Sequence, residues 1–301
     1  MGRKFGYSSG VIIVLHGGAG PQDPSAAGIA KANSSLVKIA NKLKKRLLAG
    51  IDGLEVAADC IKQMENDPQF NAGIGSVLQS DGLPRLSASI MDGSRQSFSG
   101  VISAMYIPNP SILALQLQKR RAKVLTSPGT ELLARELKLP IHTNLTEKRS
   151  KRWLQELDKK HYPASYENCD TVGCVIRDQF GKLYAASSTG GRGHEYPGRV
   201  GDNATVAGNY ASKFAAITAT GKGEQIVDDG VALRIETRVR DGQTLQAASD
   251  LAFKEAIKRK RHYGWIAVDK HGNWAVFHTT KYMPYVVCGE NRILDAFQLR
   301  C

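Results

Sequence analysis

A single layered α+β domain is the fold class that the sequence predicts, and three observations predict it. A continuous β-branched run, Val11 to Leu15, meets the turn His16-Gly17-Gly18-Ala19-Gly20-Pro21, the pattern of a buried strand entering a tight glycine turn. Two stretches follow, about Ser25 to Leu48 and about Leu54 to Glu65, with apolar residues three and four apart; such a pair of helices is expected to lie side by side on a sheet. The second half then returns to strands, passes through helices and ends in strands again, which implies packed layers.

The elements follow in order. Asp52-Gly53 separates the two helices, and Phe70-Asn71-Ala72-Gly73-Ile74-Gly75-Ser76 reads as a glycine-broken loop. Leu86 to Met91 and Phe98 to Ala104 read as short strands joined at Asp92-Gly93-Ser94, and helices are expected over Ser111–Lys123 and Thr130–Leu139. From Ile141 to Asn168 polar and charged residues dominate and Pro163 interrupts, which predicts a mobile linker, partly helical around Lys151 to Lys160. Val172 to Ile176 and Leu183 to Ser188 read as an antiparallel pair joined through Asp178-Gln179-Phe180-Gly181. A strand is expected over Ala211–Thr220, helices over Gly223–Thr237 and Thr244–Arg259, and a last hairpin from Gly264–Asp269 and Trp274–His278 around Lys270-His271-Gly272-Asn273.

Composition narrows the function classes. The 301 residues suit one large domain, and the longest early apolar run is far shorter than the roughly 20 residues that cross a bilayer. Neither a membrane span nor a cleavable leader is expected. Five cysteines, Cys60, Cys169, Cys174, Cys288 and Cys301, include no C-x-x-C pair, which argues against a disulfide framework or a zinc site and fits a reducing cytoplasm. The net charge of +13 gathers at Lys44-Lys45-Arg46, Lys119-Arg120-Arg121 and Lys258-Arg259-Lys260-Arg261. Without interleaved aromatics or a recognisable binding signature, these clusters read as solvated helix faces, so no nucleic-acid partner is expected.

The chemistry centres on Asp170-Thr171, a hydroxyl residue leading a strand directly after the linker. A threonine whose own α-amino group is free can use that amine, of reference pKa about 7.7–8.0, as the base for its hydroxyl. Attack of the Thr171 hydroxyl on the Asp170 carbonyl, followed by hydrolysis of the ester, would release that amine. By itself this is an ordinary strand start; its company gives it meaning. Ser188-Thr189-Gly190-Gly191 ends the second strand of the hairpin, where a hydroxyl can face the start of the first. Pro197-Gly198-Arg199-Val200-Gly201-Asp202 presents a guanidinium and a carboxylate three residues apart, the pair that an amino-acid zwitterion needs. Thr220-Gly221-Lys222-Gly223-Glu224 closes a strand with a hydroxyl and backbone N–H groups suited to an oxyanion. These sites converge on hydrolysis of an amino-acid side-chain amide. His16, ending a buried strand, reads as structural, and so do Cys169 and Cys174.

With these motifs in this order, nearly the whole chain resembles the plant-type, or type III, L-asparaginases and isoaspartyl aminopeptidases among the N-terminal-nucleophile hydrolases. HGGAG at 16–20, FNAGIGS at 70–76, SASIMDG at 87–93, DTVG at 170–173, STGG at 188–191, PGRVGD at 197–202 and TGKGE at 220–224 carry it. The resemblance implies a four-layer αββα sandwich, cut before Thr171 into 1–170 and 171–301, with two cleaved protomers associating. It implies hydrolysis of L-asparagine or β-aspartyl dipeptides, with no organic cofactor and no catalytic metal. Thr171 would be the nucleophile, tuned by Thr189; Arg199 and Asp202, with Val200 and Gly201 between them, would hold the substrate's α-groups. Thr220 and Gly221 would form the oxyanion hole, Lys222 and Gly223 would line the pocket, and Asn71 would support the nucleophile region at the substrate site. A structural sodium ion would sit on backbone carbonyls among Met64, Glu65, Asp67, Phe70, Ala72 and Ile74.

Three departures bear on substrate choice. Asp170 precedes the nucleophile, as in the related glycosylasparaginases, where these asparaginases commonly carry glycine. Ser87-Ala88 stands where an acidic residue is common, and Arg261-His262-Tyr263 forms a bulky turn before Trp265. Glycosylasparaginase-like or taspase-like activity, or a basic binding protein that keeps the fold without the chemistry, are the alternatives.

Overall fold

Eight strands build the larger of two sheets in the computed structural model, which describes residues 1–20, 26–157, 171–290 and 292–296. Side by side run β13 (Ile293–Asp295), β12 (Tyr285–Gly289), β2 (Ile12–His16), β6 (Val172–Arg177), β7 (Leu183–Thr189), β3 (Leu86–Asp92), β4 (Ser97–Ala104) and β5 (Val124–Thr126). Only the β4–β5 pair is parallel. The smaller sheet is antiparallel, in the order β1 (Gly2–Tyr7), β11 (Asn273–His278), β10 (Tyr263–Asp269), β9 (Ala215–Gly221) and β8 (Asn209–Ala211). The sheets face each other, β6 and β7 lying against β9. Helices α1 (Ala26–Leu48), α2 (Gly53–Glu65) and α3 (Pro110–Leu117) cover the larger sheet, and α7 (Val231–Arg240) and α8 (Leu245–Lys258) cover the smaller. The result is the expected α+β sandwich in four layers, αββα.

Three apolar seams hold the layers, and they explain the sequence pattern. Ile13 and Leu15 of β2 and Cys174 and Ile176 of β6 pack outward against Leu36, Leu43 and Ile61 of the helices. Their neighbours Ile12, Val14 and Val175 pack inward against Ile266, Val268 and Val276 of the other sheet. A strand buried on both faces must be apolar at every position, which is why Val11 to Leu15 shows no alternation. Trp265 and Phe277 stack at 5.4 Å within the third seam, together with Ile235, Leu245 and Ala248. Asp52 starts α2 by accepting a hydrogen bond from Leu54 N at 2.8 Å, an N-cap worth about 1 kcal/mol.

The period-two alternation also sorts the functional side chains. His16 shares a face with Ile12 and Val14, Thr171 and Gly173 with Val175, Thr189 with Ala185, and Thr220 with Ala216. All of them therefore point into the space between the sheets. Gly173 makes room there, since a Cβ on it would collide with His16 Nε2 and come within 2.6 Å of Thr218 Cγ2. Gly173→Ala is accordingly expected to cost about 1–3 kcal/mol by overpacking, seen as a lowered Tm in a thermal melt; an unchanged Tm would contradict this packing.

The structure departs from the sequence reading at several elements. The helix expected over Ser111–Lys123 stops at Leu117 and is followed by β5; Lys119-Arg120-Arg121 offers no apolar side chain to bury, and Lys123 Nζ closes the turn on Gln118 O at 2.7 Å. Helix Gly223–Thr237 is two helices, α6 (Gly223–Asp229) and α7, broken by Gly230 at φ 56°. The strand expected over Ala211–Thr220 is a hairpin of β8 and β9. Strands β1, β12 and β13 were not anticipated; β1 is polar and mostly exposed, and it fits because Gly6 leaves room for the Trp274 ring. The helix expected over Thr130–Leu139 is α4 (Gly129–Glu136), and the stretch expected to be a mobile linker, partly helical around Lys151 to Lys160, holds a docked helix that begins earlier, α5 (Glu147–Leu157). Residues 158–170, with Asp170 and Cys169, lie outside the described residues, as does Cys301.

Members of all three basic clusters have intramolecular partners. Lys44 binds the Gly289 and Glu290 carbonyls, Arg46 pairs with Asp59, Arg120 with Glu136, and Arg259 and Arg261 both with Asp229. Such contacts are those of a solvated surface held in place locally.

Candidate active site

Thr171 stands one residue before β6 and is 5% exposed. In the hairpin Val172 lies opposite Ser188, so Thr171 faces Thr189 at its open end, and Thr189 pairs in turn with Ser87 of β3. Strand β2 runs antiparallel to β6 with His16 opposite Gly173, so the turn after His16 emerges at the Thr171 end. From that turn Ala19 N donates to Thr220 Oγ1 at 3.2 Å. Three threonines distant in sequence are thus gathered at one end of the inter-sheet space.

Gly221 follows at φ 136°, in the left-handed region that favours glycine. A Cβ there would lie 2.5 Å from Tyr263 Cα, so both conformation and contact demand glycine. Lys222 N binds the His262 carbonyl at 2.9 Å, which ties this turn to the bulky segment noted in the sequence. Gly223 then packs on the clamp: a Cβ would lie 2.8 Å from Asp202 Oδ1 and 2.9 Å from Arg199 Nη2. The 197–202 and 220–224 motifs therefore meet, with Val200 half-exposed beside them and Gly201 against the Arg199 guanidinium.

Asp202 is buried, and its Oδ2 has no hydrogen-bond partner among the described residues. Burial is the largest influence on it and pushes its pKa up to about 7; a backbone hydrogen bond and Arg199 oppose the rise and Glu224 adds to it. An unsatisfied buried carboxylate is costly, and a cationic ligand group would relieve it. Arg199 Nε donates to Glu224 Oε1 at 2.8 Å. Burial alone would lower the Arg199 pKa, but the Glu224, Glu195 and Asp202 charges raise it above the usual value. Glu224 is held down to about 2: burial raises it, and hydrogen bonding and charge from Arg199, with Arg192, outweigh that. Arg192 Nη1 reaches Glu224 Oε2 at 3.1 Å. The roles of Glu224, Arg192 and Glu195 were not read from the sequence, although Glu224 stands inside a quoted motif; its signal was an acid beside a glycine turn, one motif after Arg199.

Asn71 has every polar group of its side chain occupied by backbone. Its Nδ2 donates to Gly191 O at 2.7 Å and its Oδ1 accepts from Val77 N at 2.9 Å, while its carbonyl accepts from Gly190 N at 2.9 Å. It thereby braces the turn behind Thr189. His16 is fully buried, and neither ring nitrogen makes a hydrogen bond of good geometry among the described residues. Burial lowers its pKa to about 3 against a weaker backbone contact with Thr171, so it is neutral and too weak to act as a base near neutral pH.

Among the described residues no cluster of His, Cys, Asp and Glu side chains is arranged to hold a metal ion. The 64–74 loop offers backbone oxygens instead. A Cβ at Gly73 would collide with the Glu65 carbonyl, and one at Gly75 with the Phe70 carbonyl, so the two glycines let the chain close tightly on these oxygens. The Glu65 carboxylate is used elsewhere, accepting from Ser111 N at 3.1 Å and Ser111 Oγ at 2.7 Å.

Residues 9–297 match the family model described as Asparaginase. The chain belongs to the asparaginase family. A protein of Nostoc sp. named isoaspartyl peptidase/L-asparaginase is 40% identical over 273 residues, 86% of each chain. One of the same name from Synechocystis sp. is 40% identical over 274 residues, 87% of this chain and 83% of its own. A Mus musculus relative, also so named, is 33% identical across 96% of this chain and 91% of its own. Family membership makes the protein a hydrolase acting on small amide substrates, and the gathered threonines and the Arg199–Asp202 pair fall within the matched region. No helix among the described residues is long and apolar enough to cross a membrane.

Proposed function

We propose that the chain is a self-activating amidohydrolase that converts L-asparagine to L-aspartate and ammonia and cleaves β-aspartyl dipeptides through an ester on Thr171. The observation that carries this reading is Asp202, a buried carboxylate with one oxygen unpartnered, packed beside Arg199 at the end of the inter-sheet space that holds Thr171, Thr189 and Thr220. An α-ammonium answers the first and an α-carboxylate the second, which leaves the side-chain amide to face the threonines. The names of the relatives support the same two substrates.

In this reading Thr171 Oγ first attacks the Asp170 carbonyl, the peptide nitrogen leaves as the new Thr171 amine, and water hydrolyses the ester. The amine then takes the Thr171 hydroxyl proton as Oγ attacks the substrate amide carbon. Thr189, opposite Thr171, orients the nucleophile, and the Thr220 hydroxyl and Gly221 N–H hold the oxyanion. The proton passes to the leaving amine, and water releases aspartate from the ester. A structural sodium ion on the carbonyls of Met64, Glu65, Asp67, Phe70, Ala72 and Ile74 would fix the loop that leads to Asn71, without entering the chemistry. Association of two cleaved protomers and a cytoplasmic location complete the proposal; the latter is supported by Cys60, Cys174 and Cys288, which are free and buried.

Parallel assays on L-asparagine, a β-aspartyl dipeptide and a glycosylated asparagine test the substrate class, with turnover of the first two and not the third expected. The pH profile tests the clamp. Asp202, with its pKa at about 7, must be ionised to hold an ammonium, so binding weakens as pH falls through that value. The Thr171 amine, of reference pKa about 7.7–8.0, must also lose its proton. The acid limb of log kcat/KM is therefore expected to steepen toward two per pH unit, and to fall to one in Asp202→Asn; a limb of slope one in the wild type would remove Asp202 from this role.

A further inference from the structure

Helix α5 carries no buried residue of its own, yet one of its faces is fastened by specific contacts. Arg149 Nε donates to the Gly75 carbonyl at 2.7 Å, and Trp153 Nε1 donates to the Gln79 carbonyl at 2.9 Å. The Trp153 ring stacks on His194 at 5.8 Å and 11°, and Glu156 Oε2 meets His194 Nε2 at 3.1 Å. Residues 149, 153 and 156 are spaced to share a helix face, so α5 grips two loops at once, the one after Asn71 and the one after Thr189.

The second loop runs straight into the clamp. His194 sits at φ 56°, a left-handed conformation uncommon for a non-glycine residue, and its backbone N–H donates to Leu78 O at 2.8 Å. On one side of it Arg192 reaches Glu224, the acid that fixes Arg199. On the other, Glu195 bears on Arg199 by charge and lines the small cavity that Thr189, Gly191 and Arg199 also line. Ser80 N binds the Glu195 carbonyl at 2.9 Å, closing the two loops on each other beneath α5.

We propose that α5 is a docking clamp for the substrate site, with Trp153 and Glu156 holding His194, and His194 acting as a positioning residue that sets Arg192 and Glu195 around the Arg199–Glu224 pair. The helix thereby tunes α-carboxylate recognition without touching substrate. The proposal rests on the amidohydrolase reading for its kinetic consequence, and on the α5 contacts alone for its structural one.

Two measurements on Trp153→Ala, His194→Ala and His194→Phe, each as the full chain, separate these parts. The first is limited trypsinolysis, since Lys148, Arg149, Lys151 and Arg152 lie within α5. Both alanine variants are expected to be cut within 147–157 several-fold faster than the wild type, and His194→Phe, which keeps the stack, at an intermediate rate. The second is steady-state kinetics on L-asparagine, where the alanine variants should raise KM about 3- to 10-fold with kcat within about twofold, and His194→Phe should recover part of that loss. Equal trypsin rates would overturn the docking, and a released α5 with unchanged KM would overturn the positioning. A wild type that turns over neither asparagine nor β-aspartyl dipeptide would overturn the functional reading instead, with the trypsin comparison still deciding whether His194 holds the helix.

Discussion

Replacing Thr171 with alanine is expected to leave an uncut chain whose turnover of L-asparagine falls by at least about 10⁴-fold, because nucleophile and base are lost together. A loss of that size corresponds to about 5.5 kcal/mol of transition-state stabilisation. The fold should survive. Thr171 stands at the mouth of β6, outside its ladder of hydrogen bonds with β2 and β7, and alanine fills less space than threonine. A melting temperature close to the wild type, together with absent activity, is the expected signature. Wild-type asparagine hydrolysis by the variant would move the chemistry elsewhere, and neutral His16 offers no substitute base.

Arg199→Ala is expected to act differently, raising KM for L-asparagine by about 100-fold while kcat changes far less, since the α-carboxylate is held equally in ground and transition states. Two effects add in the same direction. The substrate carboxylate loses its guanidinium, and Glu224, now without the Arg199 hydrogen bond at 2.8 Å, turns an uncompensated negative charge toward the site. Arg199→Lys should recover little, because a point charge cannot reproduce a guanidinium that bonds Glu224 and spans Gly201 and Gly223 at once. Unchanged kinetics in Arg199→Ala would take this residue out of the site.

Much of the layered fold was legible because burial on both faces writes an unmistakable pattern. Val11 to Leu15 and Val172 to Ile176 are apolar at every position because helices press on one side and the second sheet on the other. The glycine motifs were legible for a steric reason: Gly173, Gly221 and Gly223 each stand where a Cβ would meet another element. Strand β1 was not legible, since its partner is β11 from the far end of the chain and its outer positions face water. The end of α3 was overrun because a charged run is compatible with a helix until packing decides otherwise.

The site followed the same division. Residues that the motifs name are drawn together by strand ends and close turns. The set around Arg199 depends on pairing between segments that the sequence keeps apart: Glu224 lies 25 residues from Arg199 and 32 from Arg192. No local periodicity reports such a pair. Asn71 was read as supporting the nucleophile region at the substrate site, and its contacts with Gly191 and Val77 brace the turn that carries Thr189 onward.

The most direct test of the central claim is the intact mass, under denaturing conditions, of the freshly purified wild-type chain followed over time. Conversion of a single species into two, comprising residues 1–170 and 171–301, with Thr171 at the new N-terminus, is the predicted result. A chain that remains whole while hydrolysing asparagine would contradict it, because the Thr171 amine would then still be locked in a peptide bond and could not be the base.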